Sequence, residues 1–358
     1  MSKAKNRLIK IKKNGVGIAT DTVGAQLASI VIDNGASQLE LMNQGLLDPE
    51  NSAYGKTAPN LVMTPGPAAT FDKKTLAPAK NDKGDEMPVI QGKIGEKSVT
   101  AIEYLYNNFP YFATQHGWAQ YLDYELQGGG KRGDDYYILV NDEDLMSPFK
   151  FRHHVACMIE DDGSIKYITE LTNTGNAPIP GGLGWHPVFK LHGDVSRYSV
   201  VFEDVEFEDA NAEDKSAIHE GLEIDCESII NAGKGVKFDG VKSATVTIYY
   251  ETQEGKKIPY LKVKSECPVW VLWGKGDGFA IEPWNTSATR IFEHITNQND
   301  LSFAEDKGYK VLQPGETTSI TTIVEVYPEY INYLEKDYDL KTQKRGEEIG
   351  YEYIHLGR

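Results

Sequence analysis

The feature that most constrains this chain is its division into short alternating runs, each closed by Gly, Asn, Asp or Pro. Ile9 and Ile11, then Val16 and Ile18, lead into Leu27, Ser29 and Val31 with Gly and Asn between them. The segments 244–251 and 259–264 alternate around the turn Glu254-Gly255-Lys256, which reads as a hairpin. The segments 269–273 and 279–281 flank Gly274-Lys275-Gly276-Asp277-Gly278 as a second such pair, and Pro314-Gly315 breaks the chain before the β-branched run 319–327. Sustained 3.6-residue periodicity is scarce. Regularly spaced short strands with turn signals predict an all-β antiparallel sandwich. The 34 Gly, 20 Tyr and 12 Phe of this 358-residue chain agree with strands and tight turns better than with long helices.

No fixed-period repeat and no Gly/Ser- or Pro-rich linker divides the sequence, so residues 1–328 read as a single domain. Residues 329–358, charged and Tyr-rich, read as a carboxy-terminal extension that can form a helix packing on the sandwich. The stretch 65–85, with Pro65, Pro67 and Pro78 among many Lys and Asp, reads as a long loop of the kind that carries function on a rigid sheet scaffold. The run Gly128-Gly129-Gly130 reads as a flexible turn.

A net charge of −16 argues against nucleic acid, acidic membrane surfaces and polyphosphate partners, because each requires a basic surface. The three cysteines, Cys157, Cys226 and Cys267, lie far apart with no CxxC or Cys/His ligand spacing, and read as small buried hydrophobes. The basic amino terminus is followed by no apolar signal stretch, and no run approaches the ~18 apolar residues of a membrane span. A cytoplasmic protein is the expectation.

Three positions hold chemistry in unusual company. His116 lies in Gln115-His116-Gly117-Trp118, and His186 in Gly181-Gly182-Leu183-Gly184-Trp185-His186-Pro187-Val188-Phe189. A Gly-rich approach lets the backbone come close to something, and Pro after His fixes the local geometry. Taken alone, either histidine is more readily a hydrogen-bonded structural residue. Glu282, in Ile281-Glu282-Pro283-Trp284, ends an apolar strand beside a Trp. Burial there favours the neutral acid and raises its pKa toward the range of a general base. His153 and His154 point to opposite faces of one strand and cannot converge on an ion. His-x-His, His-Glu-x-x-His, Gly-x-Ser-x-Gly, P-loop and dinucleotide motifs are all missing, so metal and nucleophile chemistry have no support in the sequence.

The order of these elements resembles a known family. Gly24-Ala25-Gln26-Leu27 with Ser29-Ile30, then Gln115-His116-Gly117, then Asn173-Thr174-Gly175 leading to Gly184-Trp185-His186-Pro187-Val188-Phe189, and finally Ile281-Glu282-Pro283-Trp284 are similar to aldose 1-epimerases, most nearly their bacterial, galactose mutarotase-like branch. The resemblance runs from about Leu8 to Tyr327. It implies a large twisted β-sandwich of antiparallel strands with a sugar groove on one sheet. It further implies that His186 protonates the ring oxygen, Glu282 takes the proton from the anomeric hydroxyl, and His116 positions the sugar.

Such chemistry needs no cofactor, since only protons move, and its partner is a free aldohexose. Trp118, Trp185 and Trp284 are then candidates to stack on the sugar, with core packing expected for at least one of them. Asp239 is a candidate for the family's hydroxyl-binding acid, or simply a turn residue. One departure stands out. The family's sugar-binding Arg should follow the segment Ala58-Pro59-Asn60-Leu61, but here only Lys73 and Lys74 are reached, point charges in place of a planar fork. Two other readings therefore stay open: a binding protein that kept the groove, and a hexose 6-phosphate epimerase. The latter needs a cationic pocket, for which Lys73, Lys74 and Arg152 are the candidates.

Overall fold

A computed structural model describes residues 8–43, 61–63, 68–72, 77–80, 86–94, 97–102, 111–115, 119, 122–142, 150–176, 178–207, 218–233, 235–286 and 310–338. Two antiparallel sheets dominate it. The larger has nine strands in the order Glu125–Gly129, Tyr136–Asn141, Phe151–Ile159, Ile165–Asn173, Thr317–Val326, Lys257–Ser265, Val241–Glu251, Tyr198–Phe207 and Glu223–Asp225. The smaller has six, running Val236–Asp239, Val269–Lys275, Gly278–Trp284, Gly184–His186 and Leu61–Met63, with Val188–Lys190 also paired to Gly278–Trp284. A four-stranded meander, Leu8–Lys13, Val16–Asp21, Gln26–Asp33 and Gln38–Glu40, completes the main body.

The alternation read from the sequence is the packing rule of the larger sheet. In Phe151–Ile159 and Ile165–Asn173 every second side chain is buried, as expected of strands with one face on a core. Both hairpins expected around Gly255 and Gly276 form, with Glu251 opposite Lys257 and Lys275 opposite Gly278. The inner faces of the two sheets share one apolar core. Tyr167 of the nine-stranded sheet stacks on Trp185 of the six-stranded sheet at 4.9 Å between ring centroids, and Phe202 meets Phe238 edge-on at 5.3 Å. All three cysteines are buried and free within the structure.

Tyr330–Tyr338 is a helix, and its Tyr330 is fully buried among Tyr198, Tyr250 and Tyr260. Its polar side reaches the rest of the molecule, with Asn332 accepting from Asn34 and Asp337 accepting from the Tyr250 hydroxyl at 2.6 Å. No helix among the described residues is long and apolar enough to cross a membrane.

Two expectations are corrected. The stretch 65–85 contains strand Ala68–Asp72, paired with Tyr111–Gln115, and strand Ala77–Lys80, paired with Glu86–Ile94. Pro78 is tolerated there because Ala77–Lys80 is an edge strand. Gly128 and Gly129 belong to the edge strand Glu125–Gly129, where a bulge shifts the register between Leu126 and Gly128. Gly129 has φ +63°, and a Cβ on it would meet the Tyr136 carbonyl oxygen at 2.1 Å, so only glycine fits.

Candidate active site

The six-stranded sheet has one face on the core and one turned away from it. Strict alternation sorts its residues. In Gly278–Trp284, Phe279 and Ile281 enter the core, while Ala280, Glu282 and Trp284 take the outer face. On the neighbouring strand Trp270 and Leu272 go inward, and Val269, Val271 and Trp273 go outward. In Gly184–His186 the inward residue is Trp185, which places His186 on the outer face. The register pairing Gly184 with Trp284 then brings His186 opposite Glu282. Val271 faces Glu282 from the other side, and Lys237 faces Val271 from the edge strand. Lys237, Val271, Glu282 and His186 thus form one transverse row, and Asp239, Val269, Trp284 and Gly184 form the next.

His186 Nε2 lies 3.3 Å from Glu282 Oε1. Both side chains are nearly covered, at 11% and 4% exposure. The other Glu282 oxygen accepts from Trp284 Nε1 at 3.2 Å. Burial pushes the Glu282 carboxyl up to about 8, and the Trp284 hydrogen bond offsets only part of that rise. Trp273 meets the His186 ring edge-on, 5.9 Å between centroids. The result is an acid–base pair in a covered, aromatic-walled setting, which can hold a proton at either end and pass it to a bound molecule.

The strand bearing His186 is held in place by the residue that follows the Glu282 strand. Asn285 Oδ1 accepts from the Leu183 N–H at 2.7 Å, and its amide donates to the Gly181 carbonyl and to Thr318 Oγ1. The Asn285 N–H also donates to the Leu183 carbonyl at 3.0 Å. What the Gly-rich approach comes close to is Leu312. Gly181 bonds to Lys310 through its N–H, and a Cβ on it would come within 2.8 Å of Leu312 Cγ.

The remaining candidates fall into three groups. Trp284 lies on the outer face beside Glu282, as its hydrogen bond requires. Trp185 does not, since it is fully buried against Tyr167 and is a core residue with no surface left for a ligand. Asp239 is half exposed on the outer face of the edge strand and pairs with Lys237 at 2.8 Å. Arg152, considered for a phosphate, is exposed on the far side of the nine-stranded sheet and paired with Asp142. Its neighbours Phe151 and His153 point into the core, so Arg152 cannot reach the Glu282 face. His116, Trp118, Lys73 and Lys74 lie outside the described residues.

Two residues of the face, Trp273 and Lys237, are missed by sequence reasoning. Alternation from Trp270 already places Trp273 on the opposite side, but assigning that side to a site requires the register with His186.

Among the described residues no cluster of three or more His, Cys, Asp or Glu could hold a metal ion. Away from this face, His153 is held by the Tyr124 hydroxyl at Nδ1 and Thr169 at Nε2, and burial pushes it down to about 3. It is a neutral structural residue, and His154 beside it faces outward 3.6 Å from Glu170.

Comparison with known proteins agrees with this fold. The chain is similar to solved structures described as a galactose mutarotase related enzyme from Lactobacillus acidophilus (16% identity, 89% of this chain and 97% of that one, TM-score 0.59) and a galactose mutarotase-like protein from Lactobacillus casei (16%, 89% and 100%, TM-score 0.57). It is also similar to a GalM/aldose epimerase homologue from Caenorhabditis elegans (14%, 89% and 98%, TM-score 0.54). At such identities the likeness shows a shared fold, the large antiparallel sandwich. A search of curated proteins gave no match. The family description aldose 1-epimerase matches residues 90–325, a span that includes both His186 and Glu282. On that match the chain belongs to the aldose 1-epimerase family.

Proposed function

We propose that this protein is an aldose 1-epimerase that interconverts the α and β anomers of a free hexose. The observation that carries the reading is the 3.3 Å approach of His186 Nε2 to Glu282 Oε1 on one covered sheet face. In a cyclic aldose the anomeric hydroxyl oxygen and the ring oxygen are both bonded to C1. A base for one and an acid for the other must therefore converge within a few ångströms, as Glu282 and His186 do.

Glu282, as carboxylate, takes the proton from the anomeric hydroxyl. The C1–O1 bond becomes a carbonyl, the bond from C1 to the ring oxygen breaks, and His186 delivers a proton to that oxygen. Rotation about C1–C2 presents the other carbonyl face, and the reverse transfers close the ring. Proton transfers by placed groups contribute about 10²–10⁴-fold to rate, and protons alone account for the change. Trp284 and Trp273 supply aromatic surface beside the pair, and His116 is the expected partner at the ring oxygen. The family's sugar-binding role of the Arg is left to other groups here, and Lys73 and Lys74 are its nearest counterparts in sequence.

Polarimetry on freshly dissolved α-glucose and α-galactose tests the reading. The expected result is faster approach to anomeric equilibrium in proportion to enzyme. Saturable sugar binding with no acceleration would instead favour a groove retained for binding alone.

A further inference from the structure

Among the described residues, three large hydrophobic side chains are exposed: Leu126, Tyr136 and Ile138, at 43%, 41% and 36%. All three lie on one hairpin, Glu125–Gly129 with Tyr136–Asn141, at an edge of the nine-stranded sheet. Tyr137 and Leu139 of that hairpin are fully buried in the core, so Tyr136 and Ile138 take the outer face of the sheet. Register carries the apolar surface inward from the edge. Ile138 pairs with Ala156, Ala156 with Ile168, and Ile168 with Thr321. On one side of this row lie Tyr136, Met158, Lys166 and Ile323, and on the other His154, Glu170 and Ser319. Ala156, Met158, Ile168 and Ile323 are each partly exposed. Clustered apolar surface on one sheet face marks a docking surface. The edge strand is not that surface, because the bulge between Leu126 and Gly128 interrupts the regular ladder that an added strand would need.

We infer that this face is a self-association surface on which a second copy of the chain docks. The charge pattern points to that partner. Along Ile165–Asn173 the outward side chains read Lys166, Ile168, Glu170, a cation and an anion on either side of an apolar centre. Consider a second copy laid face to face about a twofold axis along the Ile138–Ala156–Ile168 row. Its strands run antiparallel to the first, Ile168 lies over Ile168 of the second copy, and Lys166 of each copy faces Glu170 of the other. The interface is isologous, so the match is made twice. A net charge of −16 opposes any self-docking, and this local cation–anion match is what offsets it. Three rows across three to four strands span roughly 15–20 Å on a side, at the small end of specific interfaces, so the dimer is weak and concentration-dependent. The Glu282 face lies on the other sheet, outside the interface.

Sedimentation of the full chain at concentrations up to about 1 mM tests it, on wild type, Ile138→Lys, Lys166→Glu and Glu170→Lys, with circular dichroism reporting the fold. Wild type is expected to show a monomer–dimer equilibrium, and Ile138→Lys to remain monomeric. Lys166→Glu and Glu170→Lys should each weaken the dimer about tenfold or more, since each places like charges together at two symmetric positions. An equal mixture of those two variants should recover association, because position 166 of each copy again faces an opposite charge at position 170 of the other. A wild type monomeric throughout the range would overturn the inference. So would folded variants that associate like the wild type, or a mixture no more associated than its components.

Discussion

Two carboxylates, Glu40 and Glu282, are both pushed well above the ordinary range of a glutamate, and the proposed function assigns chemistry to only one of them. Desolvation raises Glu40 to about 7 and Glu282 to about 8. The Glu40 carboxylate, at the end of the meander, accepts from Ser29 Oγ at 2.5 Å and from the N–H groups of Ile30 and Met42 at 3.0 and 2.9 Å. Its backbone carbonyl faces His192 Nε2 at 3.0 Å, and that imidazole is itself pushed down to about 4 by burial. The Ser29 and Ile30 contacts tie neighbouring strands of the meander together, the Met42 contact is local, and the His192 contact anchors the segment after Val188–Lys190. Among the described residues, Glu282 has one neutral donor, Trp284, on one oxygen, and an imidazole, that of His186, at the other. A raised pKa marks burial; the partners are what differ between the two acids, and on that difference rests the proposal of Glu282 as the base.

Substitutions should therefore act in opposite senses. The largest expected effect is Glu282→Gln, which keeps shape and loses basicity. It should lower kcat about 10²–10⁴-fold while the far-ultraviolet circular dichroism stays that of the wild type. Glu40→Gln should leave kcat near wild type but destabilise the fold by roughly 1–3 kcal/mol, because an amide NH₂ would oppose one of the donors now satisfied. Urea titration reads that loss. A Glu40→Gln protein as inactive as Glu282→Gln would erase the contrast.

Next in size is Asn285→Ala, which removes the side-chain bonds to Leu183 and Gly181 that hold the His186 strand against the Glu282 strand. A fall in kcat of about tenfold or more is expected from misplacing the acid, measured by polarimetry at saturating sugar. Trp185→Ala sharpens the comparison from the other side. It should cost roughly 3–5 kcal/mol of stability as a buried aromatic truncation, and Trp185→Phe should restore most of that stability with near-normal KM, since Trp185 packs on Tyr167 and not on the sugar.

The smallest effect is on stability against pH. Glu282 is protonated in the folded protein up to about 8 but only to about 4.5 when unfolded. Between those values the native state holds more protons, so its stability falls as pH rises across the window. Glu282→Gln should remove that contribution, and its melting temperature should gain on the wild type between pH 5 and pH 8.

How much of this was legible in the sequence follows from what each inference requires. The hairpins around Gly255 and Gly276 are local, so alternation and turn residues sufficed. His186 and Glu282 stood out because the Gly and Pro around them are poor strand residues without a local reason. Trp185 could have been excluded by the same rule that split His153 from His154, since adjacent residues of one strand cannot share a face. The pairing of Ala68–Asp72 with Tyr111–Gln115 spans about forty residues and leaves no local mark, so that stretch read as a loop. Assigning Trp273 and Lys237 to the site depends on register between strands distant in sequence, which alternation within one strand does not encode.

The most direct test of the central claim is the pH dependence of kcat/KM for α-galactose mutarotation, corrected for the uncatalysed rate, in wild type and Glu282→Gln. If Glu282 is the base, it must be ionised to act, and wild-type kcat/KM falls as pH drops below about 8. The same limb should be missing from whatever residual activity Glu282→Gln retains. A wild-type profile flat through that region, or a variant that keeps both the rate and the limb, would contradict the account.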